Sequence, residues 1–238
     1  MRVKGYERKI PVFYGIDYLT HDIPTYVFSV AENYSTCYKY FSSLRLLKYP
    51  LQAVVSDDNT VIFEACHAVY PKAITQLCTN HYKETIRANL GVRVDDTYRE
   101  FMGEVESLFK HRISLSEFQV RGQKIYRRYG SDPVAVSVLT DIARRMPELT
   151  AYTNIPRVPQ TTNLIESYNS HLEGRLKTIK GFESFTYANN WLNTYFLRRR
   201  TKKLTDCGRP FKNLNGRCSL EESMTDPSRL SEIISFLR

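Results

Sequence analysis

Between Tyr82 and Leu149 the sequence offers nothing from which a sheet can be built, and this stretch limits the fold more than any other feature. Apolar residues recur there at near-helical spacing, first Tyr98, Phe101, Val105 and Leu108, then Ile125, Tyr129, Val134, Val138, Ile142 and Met146. That is the period of amphipathic helices, not the alternation of strands. The text before it is of another kind. From Ile10 to Val30 it alternates, with Val12, Tyr14, Ile16 and Tyr18 on one face and a break at LTHDIP before TYVFSV, which reads as a β-hairpin. Tyr34, Cys37, Tyr38, Phe41, Leu44 and Leu47 then mark an amphipathic helix. Tyr49-Pro50 resets the chain into the strand LQAVV, a second helix runs through Val61, Ile62, Ala65, Ala68 and Val69, and AITQLC reads as one more strand. The order β-β-α-β-α-β implies an α/β fold with a sheet of mixed direction.

Past the helical stretch, Asn154-Ile155-Pro156-Arg157-Val158-Pro159-Gln160 is an extended connector, since two prolines rule out helix continuation. TTNLIESYNSHLEGRLKTI opens a long helix, Phe185 to about Arg200 forms another, and a tail holding Gly, Pro and Asn leads to a short terminal helix near Leu230–Leu237. The organisation is therefore a part with strands over 1–81, a helical stretch over 82–153, and a part with two long helices over 154–238.

Composition narrows the function classes. With 42% hydrophobic and 25% charged residues the chain of 238 is globular, not disordered. No apolar run approaches the ~18–20 residues that span a bilayer, and MRVKGYERK leads into no signal-type segment, so a cytoplasmic protein without a membrane partner is expected. Cys37, Cys66, Cys78, Cys207 and Cys218 are odd in number and widely spaced, which argues against a disulfide framework. The formal charge of +9 favours a polyanionic partner such as nucleic acid.

Two acids stand out. Asp57 ends a strand that is apolar on both faces, the place where open α/β sheets build their sites, yet Ser56, Asp57 or Asp58 also reads as the cap of the next helix. Glu166 runs along the flank of a stripe formed by Leu164, Ile165, Tyr168, Leu172, Leu176 and Ile179, and with Asn163 it also fits a capping box.

Taken in order, LQAVVSDDN, Ala68-Val69-Tyr70-Pro71-Lys72-Ala73 with Gln76-Leu77-Cys78-Thr79-Asn80-His81, and TTNLIESYNSHLEGRLKTIKGF resemble the regions around the second and third acids of DDE transposases of the Mutator-like and related bacterial and archaeal insertion-sequence families. FKNLNGRCSLEE is similar to their Asn-Gly-x-x-Pro-Leu ending, with Ser219 where proline is usual. The resemblance implies a ribonuclease-H-like core with a large all-helical insertion between the second and third acids, and Asp57 and Glu166 as catalytic ligands of Mg2+ or Mn2+. It implies two-metal phosphodiester cleavage and strand transfer on transposon ends and target DNA, by a homo-oligomer associated with a prokaryotic nucleoid. Such chemistry needs hard oxygen ligands converging on ions ~3.5–4 Å apart.

The family places its first acid on a central strand ahead of the segment that resembles PVFYGIDYLTHDIPTYVFSV, and here only two strand-like runs precede Tyr34. The first core strand and its Asp are thus expected to be missing, which makes the chain as written an inactive or truncated transposase, or a non-catalytic DNA-binding remnant. Asp17 reads as a turn residue and not a substitute ligand. Arg198, Arg199, Arg200, Lys202 and Lys203 form the candidate DNA contact, with Arg121, Lys124, Arg127 and Arg128 around Tyr126 and Tyr129 as a second. Cys78-x-x-His81 resembles the family's Cys-x-x-His and reads as structural, because its spacing from Cys66-His67 does not match a zinc finger.

Overall fold

The computed structural model describes residues 1–230, so the terminal helix expected near Leu230–Leu237 lies outside the described residues save for its first position. The chain is a mixed α/β structure rich in helix, and it divides into two compact units, Met1–Pro50 with the chain from Asn163 onward, and Leu51–Thr162.

In the first unit β1 (Val12–Tyr14) pairs antiparallel with β2 (Tyr26–Phe28), in the register Val12 with Phe28 and Tyr14 with Tyr26. The long turn between them is organised by Asp17, whose Oδ1 accepts from the N–H groups of Leu19 at 2.7 Å and Thr20 at 2.9 Å, and whose Oδ2 accepts from the Tyr49 hydroxyl. His21 within that turn takes a left-handed φ of 57°. Helix α1 (Tyr34–Leu46) is started by Asn33, which accepts from the Thr36 N–H at 3.1 Å. It buries Cys37, Tyr40, Phe41 and Leu44, while Tyr34, Tyr38 and Leu47 of the expected stripe stay exposed. A Cβ at Gly15 would lie 2.5 Å from the Tyr40 hydroxyl, so any larger residue there would push that ring aside. Helices α8 (Asn163–Lys177) and α9 (Phe185–Thr201) belong to the same unit. Tyr168, Leu172, Ala188, Leu192 and Phe196 share one core with Ile10, Tyr14, Ile23 and Phe28.

In the second unit β3 (Ala53–Ser56), α2 (Thr60–Val69) and β4 (Ile74–Leu77) form a parallel β-α-β turn with Ala53 opposite Ile74 and Ser56 opposite Leu77. Helices α3 (Thr79–Asn89), α4 (Arg99–Ser107), α5 (Leu115–Tyr129), α6 (Pro133–Arg144) and the short α7 (Met146–Leu149) follow without a strand among them. Their starts are encoded locally: Ser114 caps α5 at Glu117, and Asp132, with Pro133 behind it, accepts from Val134 at 2.8 Å and Ala135 at 3.0 Å. Phe63 and Leu77 of the β-α-β turn share a core with Tyr82, Phe101, Val105, Leu108, Ile125, Ile142 and Leu149 of the helices. Gln76, fully buried on β4, fastens the end of the helical stretch: its amide donates to the Leu149 carbonyl at 3.2 Å and its oxygen accepts from Tyr152 N–H at 2.8 Å.

The element order is the expected one, but the sheet differs. Instead of one mixed sheet there are two two-stranded sheets, β1 with β2 and β3 with β4, and no described strand joins them. Strand order along a chain follows from local periodicity, whereas which strands pair across the sheet is set by contacts between distant segments.

Candidate functional site

Asp57 follows directly on β3, where Ala53, Val54 and Val55 are half-buried, Ser56 is buried and the chain then emerges to solvent. Its carboxylate is exposed and accepts from the Ser56 hydroxyl at 3.0 Å. The capping role open to Ser56, Asp57 and Asp58 falls to none of them. Asn59 caps α2, accepting from the Val61 N–H at 3.2 Å. The reason is a tight turn in which the Asn59 N–H donates to the Asp57 carbonyl at 2.7 Å, so that Asn59, in extended conformation, is the residue facing the first free helical N–H groups. Asp58 turns to Arg145 instead, with Nη1 2.6 Å from its Oδ1. Two adjacent acids thus do different things: Asp58 has a cation partner, and Asp57 has none among the described residues.

Cys78 and His81 are brought together. Cys78 stands at the head of α3, fully buried, with Nδ1 of His81 3.3 Å from its sulfur and the Thr162 hydroxyl 3.2 Å away. Burial pushes the Cys78 thiol up, but hydrogen bonds from His81 and Thr162 more than offset it and hold the thiol below its ordinary value. Cys66 is the opposite case, packed within α2 and pushed by burial to about 12, which suits a core residue and not a ligand.

Glu166 is exposed in the first turn of α8, on the flank of Tyr168 and Leu172, while Asn169 one turn-face away accepts from the Tyr14 hydroxyl at 2.6 Å. Asn163 is the first residue of that helix. Asp57, Cys78 and His81 belong to the unit Leu51–Thr162, and Glu166 belongs to the other.

The basic run divides by environment. Arg198, Lys202 and Lys203 are exposed. Arg199 lays its guanidinium over the Tyr168 ring, 4.4 Å from the centroid. Arg200 is bidentate to Asp22, Nε to Oδ1 and Nη2 to Oδ2 both at 2.8 Å. That carboxylate is fully buried and also accepts from Ser219 at 3.2 Å and Ser223 at 2.7 Å, which ties the β1–β2 turn to α9 and to the short helix α10 (Ser219–Ser223). Sequence reasoning missed this cluster because nothing local links Asp22 to Arg200. On α5, Arg121 pairs with Glu117 and Arg128 with Glu100 and Glu104, while Lys124, Tyr126 and Arg127 face solvent.

The described residues make a helix-rich mixed α/β protein with two small sheets. The family described as Transposase, Mutator family, matches residues 31–196, and the chain belongs to it. The matched span contains Asp57, Cys78, His81 and Glu166 and stops short of Arg198. No curated protein matches the chain. Among the described residues no helix is long and apolar enough to cross a membrane.

Proposed function

We propose that this Mutator-family transposase works by DDE-type chemistry, with Asp57 and Glu166 as carboxylate ligands of Mg2+ or Mn2+ on a ribonuclease-H-like core, and that it acts on the ends and target of a mobile DNA element. The observation that carries the reading is the state of Asp57: it is exposed at the carboxyl end of a parallel strand, and the capping task that would otherwise explain it belongs to Asn59. An exposed carboxylate whose one hydrogen bond comes from a hydroxyl suits a hard divalent cation that keeps several waters. When bound, such a pair of ions supplies charge stabilisation of the attacking and leaving oxygens of a phosphodiester. Of this chain's residues, Asp57 and Glu166 would hold the ions, and Arg198, Lys202 and Lys203, joined by Lys124 and Arg127, would hold phosphates by charge without reading bases.

The acids ahead of Asp57 are Glu7, Asp17, Asp22 and Glu32, and none stands on β1 or β2. Asp17 organises a turn and Asp22 binds Arg200. This favours a chain that, taken alone, binds DNA and holds a divalent cation with two of the three acids but does not join strands. It also favours, as a second reading, a DNA-binding derivative with no metal site. Calorimetric titration of the purified chain with Mn2+ separates the two: binding that is lost in both Asp57→Ala and Glu166→Ala supports the first, and no binding, or binding indifferent to both substitutions, sinks it. Strand joining by the chain alone, abolished by Asp57→Ala, would show that a third ligand is present among these residues.

A further inference from the structure

Asp58 is held from the far end of the helical stretch. Arg145 sits at the junction of α6 and α7, and its side chain is 19% exposed, against 40% for Asp58. Its Nη1 is 2.6 Å from Asp58 Oδ1, while its Nε lies 3.6 Å from Asp141 Oδ1. Asp141 in turn accepts from the Tyr82 hydroxyl of α3 at 2.7 Å and pairs with Arg144. The guanidinium is therefore flanked by Asp141 of α6 through charge alone and by the Tyr82 ring of α3, 6.0 Å from its centroid, and its outer nitrogen reaches the loop between β3 and α2. Within that loop the other ties are local, the Asn59 turn and its cap on Val61. A partly exposed ion pair contributes little to stability, so fixing the loop's position is the more fitting role for this one.

We propose that Arg145 is a positioning residue. By holding Asp58 it fixes the loop that presents Asp57, and so couples divalent-cation binding at Asp57 to the packing of the helical segment. Removing Arg145 leaves Asp57 with its chemistry unchanged but its direction unset, as happens when a group behind a metal ligand is lost. Removing Asp58 has the same effect from the other side. The inference rests on the reading of Asp57 as a cation ligand, but the mechanical part can be tested apart from it.

The test uses the full chain as wild type, Arg145→Met, Arg145→Lys and Asp58→Asn, with Asp57→Ala as control. Mn2+ binding is followed by electron paramagnetic resonance, and exchange of the amides from Ser56 to Ile62 by mass spectrometry. The expected result is a loss of Mn2+ affinity of about tenfold or more in Arg145→Met and Asp58→Asn, near-wild-type affinity in Arg145→Lys, and faster loop exchange in the first two alone. Wild-type affinity in Arg145→Met and Asp58→Asn, with Asp57→Ala abolishing binding, overturns the inference and leaves the site standing. If wild type binds no Mn2+ at Asp57, the reading of the site has failed; loop exchange then decides the latch, supported by acceleration in Arg145→Met and overturned by its absence. Should Arg145→Met not fold, Asp58→Asn in an exposed loop carries the same comparison.

Discussion

Replacing Arg200 by methionine distinguishes a structural from a nucleic-acid role for the basic run more sharply than any other substitution. The Asp22 carboxylate is fully buried and receives two guanidinium N–H bonds of 2.8 Å and two serine hydroxyls. Without Arg200 the hydroxyls remain but the charge is uncompensated, and breaking a buried pair from one side costs ~3–5 kcal/mol. Arg200 is itself 24% exposed, so water can enter behind the methionine and the cost falls at the lower end, about 3 kcal/mol. For a chain of this size that lowers the midpoint of thermal unfolding by roughly 6–12 °C. The lone tryptophan, Trp191, lies on α9 in the same unit and reports its unfolding by fluorescence. The double variant Asp22→Asn with Arg200→Met should recover part of the loss, because no charge is then left unpaired. An Arg200→Met protein as stable as wild type but impaired in DNA binding would refute the reasoning and return Arg200 to the DNA-contacting set.

Three further outcomes are expected. Gln76→Leu leaves the Tyr152 N–H and the Leu149 carbonyl without their partner inside a core, at about 1–3 kcal/mol each, and urea unfolding of that unit should show a loss in the range of roughly 2–6 kcal/mol. Burial lowers His21 below its ordinary value of 6.5, with Asp17 opposing in part. The unfolded chain therefore binds the extra proton first as pH falls through 6.5, stability declines by at most about 1.4 kcal/mol per pH unit from this group, and His21→Asn, which tolerates the left-handed φ, should flatten that decline in unfolding curves taken from pH 7 to 5. Lys202→Ala with Lys203→Ala should reduce the slope of log affinity against log salt by roughly 1.8 on duplex DNA, near 0.9 per phosphate contact, without changing preference among sequences. An unchanged slope would remove both lysines from the interface.

What could be read from the sequence was whatever depends on near neighbours. The elements of the β-β-α-β-α-β segment and the helices from Tyr82 to Leu149 follow from periodicity, turn residues and caps such as Ser114 and Asp132, all of which act within a few positions. Resolution to one residue was harder. The cap of α2 fell to Asn59 and not to Ser56, Asp57 or Asp58, because a single tight turn decides which side chain meets the free N–H groups. The buried face of α1 was rotated toward Tyr40 and away from Tyr34 and Tyr38, since aromatic residues on both sides of the helix leave its orientation to packing. Arg200 with Asp22, Arg145 with Asp58 and Gln76 with Tyr152 were invisible, because each pair is joined only by the fold. The same holds for the division of strands into two sheets.

The central claim is that Asp57 and Glu166 serve one divalent site, and iron-directed cleavage tests it most directly. Fe2+ substituted for Mg2+ in the purified chain, with ascorbate and peroxide, cuts the backbone next to wherever the ion rests. Cuts near both Asp57 and Glu166, suppressed together by excess Mg2+ and lost together in either Asp57→Ala or Glu166→Ala, are the predicted result. Cuts confined to one of the two segments, or cuts at one that persist when the other acid is removed, would contradict it.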